Sequence, residues 1–116
     1  MAVSSQIRDV EEYDLTRKTA DHPNKKYSEY VRQWEKNISE DRLETYRTFF
    51  QAERLRRCYE EGKLEQSYEC QIIDARGRAR LWQFVLLLGK NENSDDIIAL
   101  VIIKDITEQL AKQNLL

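Results

Sequence analysis

The chain has 116 residues, of which 19 are basic and 21 acidic, for a formal net charge of −2. That length suits one domain with one core, and the near balance of charge leaves no broad field to draw the chain to nucleic acid or an acidic membrane surface. Cys58 and Cys70 form no Cys-x-x-Cys pair and join no histidine cluster, so reduced, packed thiols are expected and no metal site.

No basic and apolar leader opens the sequence, and its longest apolar run falls far short of the ~20 residues that cross a bilayer. A cytoplasmic chain without membrane insertion is therefore expected. Residues 7 to 15 place apolar side chains irregularly at Ile7, Val10, Tyr13 and Leu15, and the polar run after them reads as a turn between two short strands. Asp21-His22-Pro23-Asn24 reads as a loop, closing a weakly patterned region over 1–26. Beyond it, Tyr27, Tyr30, Val31, Trp34 and Ile38 recur every three or four residues, the stripe of a helix that buries one face.

Ser39, followed by Glu40 and Asp41, marks a second helix start: a hydroxyl that can accept a free backbone N–H, then acids near the positive end. The stripe of Leu43, Tyr46 and Phe50 falls out of phase with Leu55, Cys58 and Tyr59, which predicts a break near Gln51 and Ala52, and Gly62 ends the helical segment assigned to 27–62. The period then shortens to two: Tyr68, Cys70 and Ile72 alternate with polar neighbours, as a strand requires. Asp74-Ala75-Arg76-Gly77 is a tight turn, residues 80–88 are its hairpin partner, 89–96 a polar loop and 97–104 a third strand. Asp105 with Glu108 three residues on is a near capping box that starts a last helix over 105–116. An α+β domain with a three-stranded antiparallel hairpin region over 65–104 follows from this order.

A sheet with one wet face alternates apolar and polar residues, and these strands do not. Leu81, Val85, Leu87, Ile98, Leu100 and Ile102 point to one side, while Trp82, Phe84, Leu86, Ile97, Val101 and Ile103 point to the other. The helices can cover one side only. Burying ~400 Å² of the second would contribute about 10 kcal/mol at roughly 25 cal/mol per Å² before ordering costs, so that side must meet the N-terminal segment, a neighbouring domain or a second copy of the chain, and the first set is expected to form a homodimer interface.

The order strand, "DARG" turn, "RLWQFVLLL" strand, polar loop, strand and terminal "DITEQL", over roughly residues 65 to 110, resembles the C-terminal half of a PAS domain. Upstream, "EEYDLTRKT", "YSEYVRQW" and "ISEDRLETYRTFF" resemble the divergent front ends of PAS sensors in bacterial diguanylate cyclases and histidine kinases. The resemblance implies a PAS-like antiparallel sheet with helices packed on one face. It further implies a C-terminal helix that serves an output domain beyond Leu116, and it gives Asp105, Thr107 and Glu108 the role of coupling sheet to helix.

Trp34, Tyr68, Cys70, Trp82 and Phe84 are the candidate ligand-lining residues, although aromatic residues at core periodicity also serve simply as core. The Asn-Cys-Arg-Phe motif of flavin-binding relatives is absent, and the sole histidine, His22, falls in a loop, so neither a flavin adduct nor a haem ligand is expected. No nucleophile, histidine and acid stand in a catalytic pattern, and the chain is read as non-enzymatic. Two other readings remain: a small cone-shaped α+β ligand-binding protein or enzyme, and a purely structural dimerisation module.

Overall fold

A computed structural model describes residues 6–14, 18–19, 22–23, 25–90, 92 and 96–114, with side chains described over 27–90, 92 and 96–110. The chain folds as α+β. Its elements are β1 (Gln6–Asp14), β2 (Lys18–Thr19), β3 (His22–Pro23), α1 (Lys25–Arg32), a 3₁₀ turn (Glu35–Asn37), α2 (Glu40–Phe49), α3 (Ala52–Glu60), β4 (Glu65–Ile73), β5 (Ala79–Lys90), β6 (Ile97–Asp105) and α4 (Thr107–Asn114). Strands β1, β6, β5 and β4 lie side by side in that order, every neighbouring pair antiparallel.

The sheet thus has one strand more than the expected three. Of the two short strands expected on either side of the polar run at 16–19, the first is β1, nine residues long and paired along β6 with a register shift between Ile7 and Asp9, while Lys18 and Thr19 of the expected turn form β2. The irregular pattern and the shift agree, because an extra residue in a ladder displaces the alternation by one. A last strand as apolar as "IIALVIIK" belongs inside a sheet, and β6 is flanked on both sides. His22–Pro23, expected as loop, pairs with Lys18–Thr19 in a separate two-stranded ladder.

One side of the sheet carries the core. Phe84, Leu86, Ala99, Val101, Ile103 and Cys70 are fully buried there, and Tyr46, Phe50 and Leu55 of the helical layer press onto them. The Tyr46 ring lies 4.9 Å from Phe50 and 5.8 Å from Phe84, and Phe50 meets Phe84 edge-on at 5.3 Å. Two phenols pin the helical layer to itself: Tyr27 donates to the Phe50 carbonyl and Tyr46 to the Val31 carbonyl, each at 2.5 Å. Burial pushes both phenols well above the usual tyrosine range, which keeps them neutral donors.

The stripe from Tyr27 to Ile38 does not run on one continuous helix. α1 stops at Arg32 and the chain tightens into the 3₁₀ turn, so that Trp34 and Ile38 reach the core from beyond the helix. Ser39 is the N-cap residue of α2, as expected, but its side chain caps no backbone N–H. Its hydroxyl bonds the Asp41 carboxylate and thereby lowers that group's pKa. Gln51 breaks the helical segment between α2 and α3, and beyond α3 Gly62 takes φ +78°, a left-handed conformation that lets the Lys63 N–H return to the Cys58 carbonyl at 2.9 Å.

Candidate functional site

The polar groups at the junction of β5, β6 and α4 converge on one carboxylate. Asp105 ends β6 on the core side of the sheet, and its side chain is only 3% exposed. Its Oδ2 accepts from Arg80 Nε at 2.9 Å; its Oδ1 accepts from the Thr107 N–H at 3.0 Å and from the Thr107 hydroxyl at 2.7 Å. The Thr107 hydroxyl oxygen in turn accepts from the Leu81 N–H at 2.8 Å, while the Leu81 carbonyl accepts from the Ile106 N–H at 2.9 Å.

The local chemistry explains this arrangement. The ladder joins Trp82 to Asp105, so Leu81 comes opposite Ile106, the first residue past the strand. Were β6 to continue, the Ile106 carbonyl would receive the Leu81 N–H. The turn into α4 removes that option, because the Ile106 carbonyl now accepts from the Leu110 N–H at 2.9 Å as the first bond of the helix. The Thr107 hydroxyl takes over as acceptor. One side-chain oxygen therefore extends the sheet by a bond while the backbone has already become helical.

Burial of the Asp105 carboxyl works to raise its pKa, but the bonds from the Thr107 hydroxyl and N–H and from Arg80 outweigh it and hold the group below the usual carboxylate range. Asp105 is therefore charged at neutral pH and holds Arg80, Thr107 and, through Thr107, Leu81 in one geometry. Glu108 stands exposed in the first turn of α4, near its positive end. Sequence reasoning missed Arg80, placed on the core side of β5 beside aromatic and aliphatic neighbours. An arginine on the buried side of an apolar strand was the available signal, because a charge there requires a partner.

The five candidate ligand-lining residues do not form one cavity wall. Phe84 and Cys70 are fully buried and Trp82 is 5% exposed, all within the packed core. Trp34 packs edge-on against Trp82. Tyr68 stacks on Phe49 with centroids 5.2 Å apart and lines a surface cleft of about 470 Å³ with Thr45, Thr48 and Arg54. Burial, then its hydrogen bond with Cys70, pushes the Tyr68 phenol up to about 12. Burial likewise raises the Cys70 thiol, so it stands as a protonated packing group. A second cleft, of about 450 Å³, lies between α1 and the α2–α3 break, beside Arg32, Glu35 and Arg47.

On the other side of the sheet the six residues expected at an interface fall together. Val85 lies opposite Ile102 and Leu87 opposite Leu100, with Ile98 and Leu81 at the two ends. Leu87 is 38% exposed, Leu81, Ile98, Leu100 and Ile102 are half-buried, and Val85 is buried at 7%. Among the described residues no group of three His, Cys, Asp or Glu side chains could hold a metal ion, and no helix is long and apolar enough to cross a membrane. No family model matches the chain, and no curated protein matches it.

Proposed function

We propose that the domain is a cytoplasmic, PAS-like regulatory module that passes a ligand- or partner-induced change through α4 to an output domain, such as a diguanylate cyclase or histidine kinase, in bacterial signal transduction. The observation that carries this reading is the latch of Arg80, Leu81, Asp105 and Thr107. It ties the first turn of α4 to β5, so any displacement of β5 against β6 is felt at the start of the helix. A two-state shift in sheet packing would then bias how α4 departs. In this reading the domain does no chemistry of its own, since the polar groups of the latch are spent on one another.

The second side of the sheet supports homodimerisation as part of the same reading, through Leu81, Val85, Leu87, Ile98, Leu100 and Ile102. The ring-filled centre formed by Tyr46, Phe50 and Phe84 favours a protein partner over a ligand in the core as the source of the change. In the natural full-length chain, Asp105→Ala and Thr107→Ala should each alter output activity beyond what their loss of stability explains. Unaltered output from a folded variant would remove the coupling role. Sedimentation should show a dimer that Leu87→Glu converts to monomer; a monomer at high concentration in the unsubstituted chain would remove dimerisation from the reading.

A further inference from the structure

Trp34 belongs to neither a helix nor a strand, yet it joins the two layers next to the latch. It follows α1, with φ −94° and ψ −9°, and leads into the 3₁₀ turn. Its ring meets that of Trp82 edge-on, with centroids 4.9 Å apart and planes at 78°. Trp82 is the ladder partner of Asp105 and the chain neighbour of Leu81, so this contact lies next to residues on both strands of the latch.

The same turn is fastened at two further points. Asn37 Nδ2 donates to the Ile73 carbonyl at 2.8 Å, at the end of β4, and Glu35 receives Arg47 of α2 at 2.8 Å. The 3₁₀ turn is thus tied to α2 on one side and to both strands of the β4–β5 hairpin on the other.

The Trp34 indole Nε1 is buried with no hydrogen-bond partner among the described residues. An unmade bond of this kind costs stability, and phenylalanine at the position would avoid it. Packing alone does not call for an indole here; what the larger ring adds is reach to Trp82.

We propose that Trp34 is a positioning residue that, through its edge contact with Trp82, transmits the placement of the α1–α2 layer to the Leu81–Thr107 latch and so sets the departure of α4. This rests on α4 being the output element. The contact itself, however, is tested at the latch without any output domain, so failure of the one is distinguishable from failure of the other.

The experiment measures amide hydrogen exchange by NMR in the 116-residue chain, comparing Trp34→Leu and Trp34→Phe with Leu88→Ala. The last is a buried change at the far end of β5 that serves as a stability control. Trp34→Leu should speed exchange at the Leu81 and Ile106 N–H groups about ten-fold more than at Val101, a selective loss within the range of measured couplings. Trp34→Phe, whose smaller ring falls short of Trp82, should show the same selective loss at a few-fold level, and Leu88→Ala should show no preference for Leu81.

A ¹³C titration should also show the Asp105 carboxyl returning toward the ordinary carboxylate range in Trp34→Leu. Exchange at Leu81 no more selective than in Leu88→Ala, or an Asp105 titration that does not move, overturns the proposal. Should Trp34→Leu fail to fold, Asn37→Ala cuts the neighbouring tie of the same turn to the Ile73 carbonyl. It should give the same selectivity at a few-fold level, and its absence there overturns the proposal equally.

Discussion

The aromatic centre and the latch hold the same sheet to its surroundings by opposite means. Around Phe84 the contacts are ring against ring: they tolerate small rotations, carry no charge and depend on filled volume. Around Asp105 they are directed bonds of 2.7–3.0 Å to a buried carboxylate, in which each donor has one place to go. Packing of the first kind fixes that the layers adhere. Bonds of the second kind fix the angle at which one element leaves another, which is why the latch and not the core is the place to look for coupling.

The two regions should respond differently to substitution. Phe84→Ala removes a fully buried ring from the aromatic cluster and should cost about 3–5 kcal/mol in denaturant unfolding. A loss under 1 kcal/mol would mean the cluster is loosely packed. Thr107→Val keeps the shape but takes the acceptor from the Leu81 N–H and should cost about 1–3 kcal/mol. Thr107→Ser, which restores the oxygen, should recover most of it, and equal losses for Val and Ser would show that the methyl group, not the hydroxyl, matters.

The latch should also differ from the core in acid. The folded Asp105 carboxyl lies below the usual carboxylate range, so its stabilisation is complete above the unfolded value of about 3.9 and is lost as pH falls through the lower folded value. Asp105→Asn should therefore flatten the acid limb of stability below about pH 4, while Phe84→Ala should lower the curve without flattening it. Parallel acid limbs for Asp105→Asn and the unsubstituted chain would show that Asp105 carries no acid dependence. The smallest effect belongs to a directed bond in solvent: Arg47 is 57% exposed in its pair with Glu35, and Arg47→Ala should stay within about 1 kcal/mol. A larger loss would show the 3₁₀ turn to be more dependent on that pair than its exposure implies.

Much of the local structure was readable from periodicity. The two-residue repeat at Tyr68, Cys70 and Ile72, the phase break at Gln51 and Ala52, and the two-sided apolar content of 97–104 all answer to rules that act over a few residues. The front of the chain was less readable. A register shift near Ile7 and Asp9 scrambles the alternation that would announce one long strand, and the stripe through Trp34 and Ile38 does not reveal that the helix gives way to a 3₁₀ turn. Of the latch, Asp105 and Thr107 stood out because a strand emptying into a helix needs caps, whereas Arg80 and Leu81 lie 25 and 26 residues from their partners.

The sequence by itself determined the α+β class and the two greasy sides of the last strands, because composition and spacing decide which faces must avoid water. Only the tertiary structure decided that β1 completes the sheet beside β6, that Arg80 answers Asp105, and that a threonine hydroxyl stands in for a strand carbonyl. Those are pairings between distant residues, and a hydrogen bond or ion pair acquires its partner only when folding brings the two groups within about 3 Å.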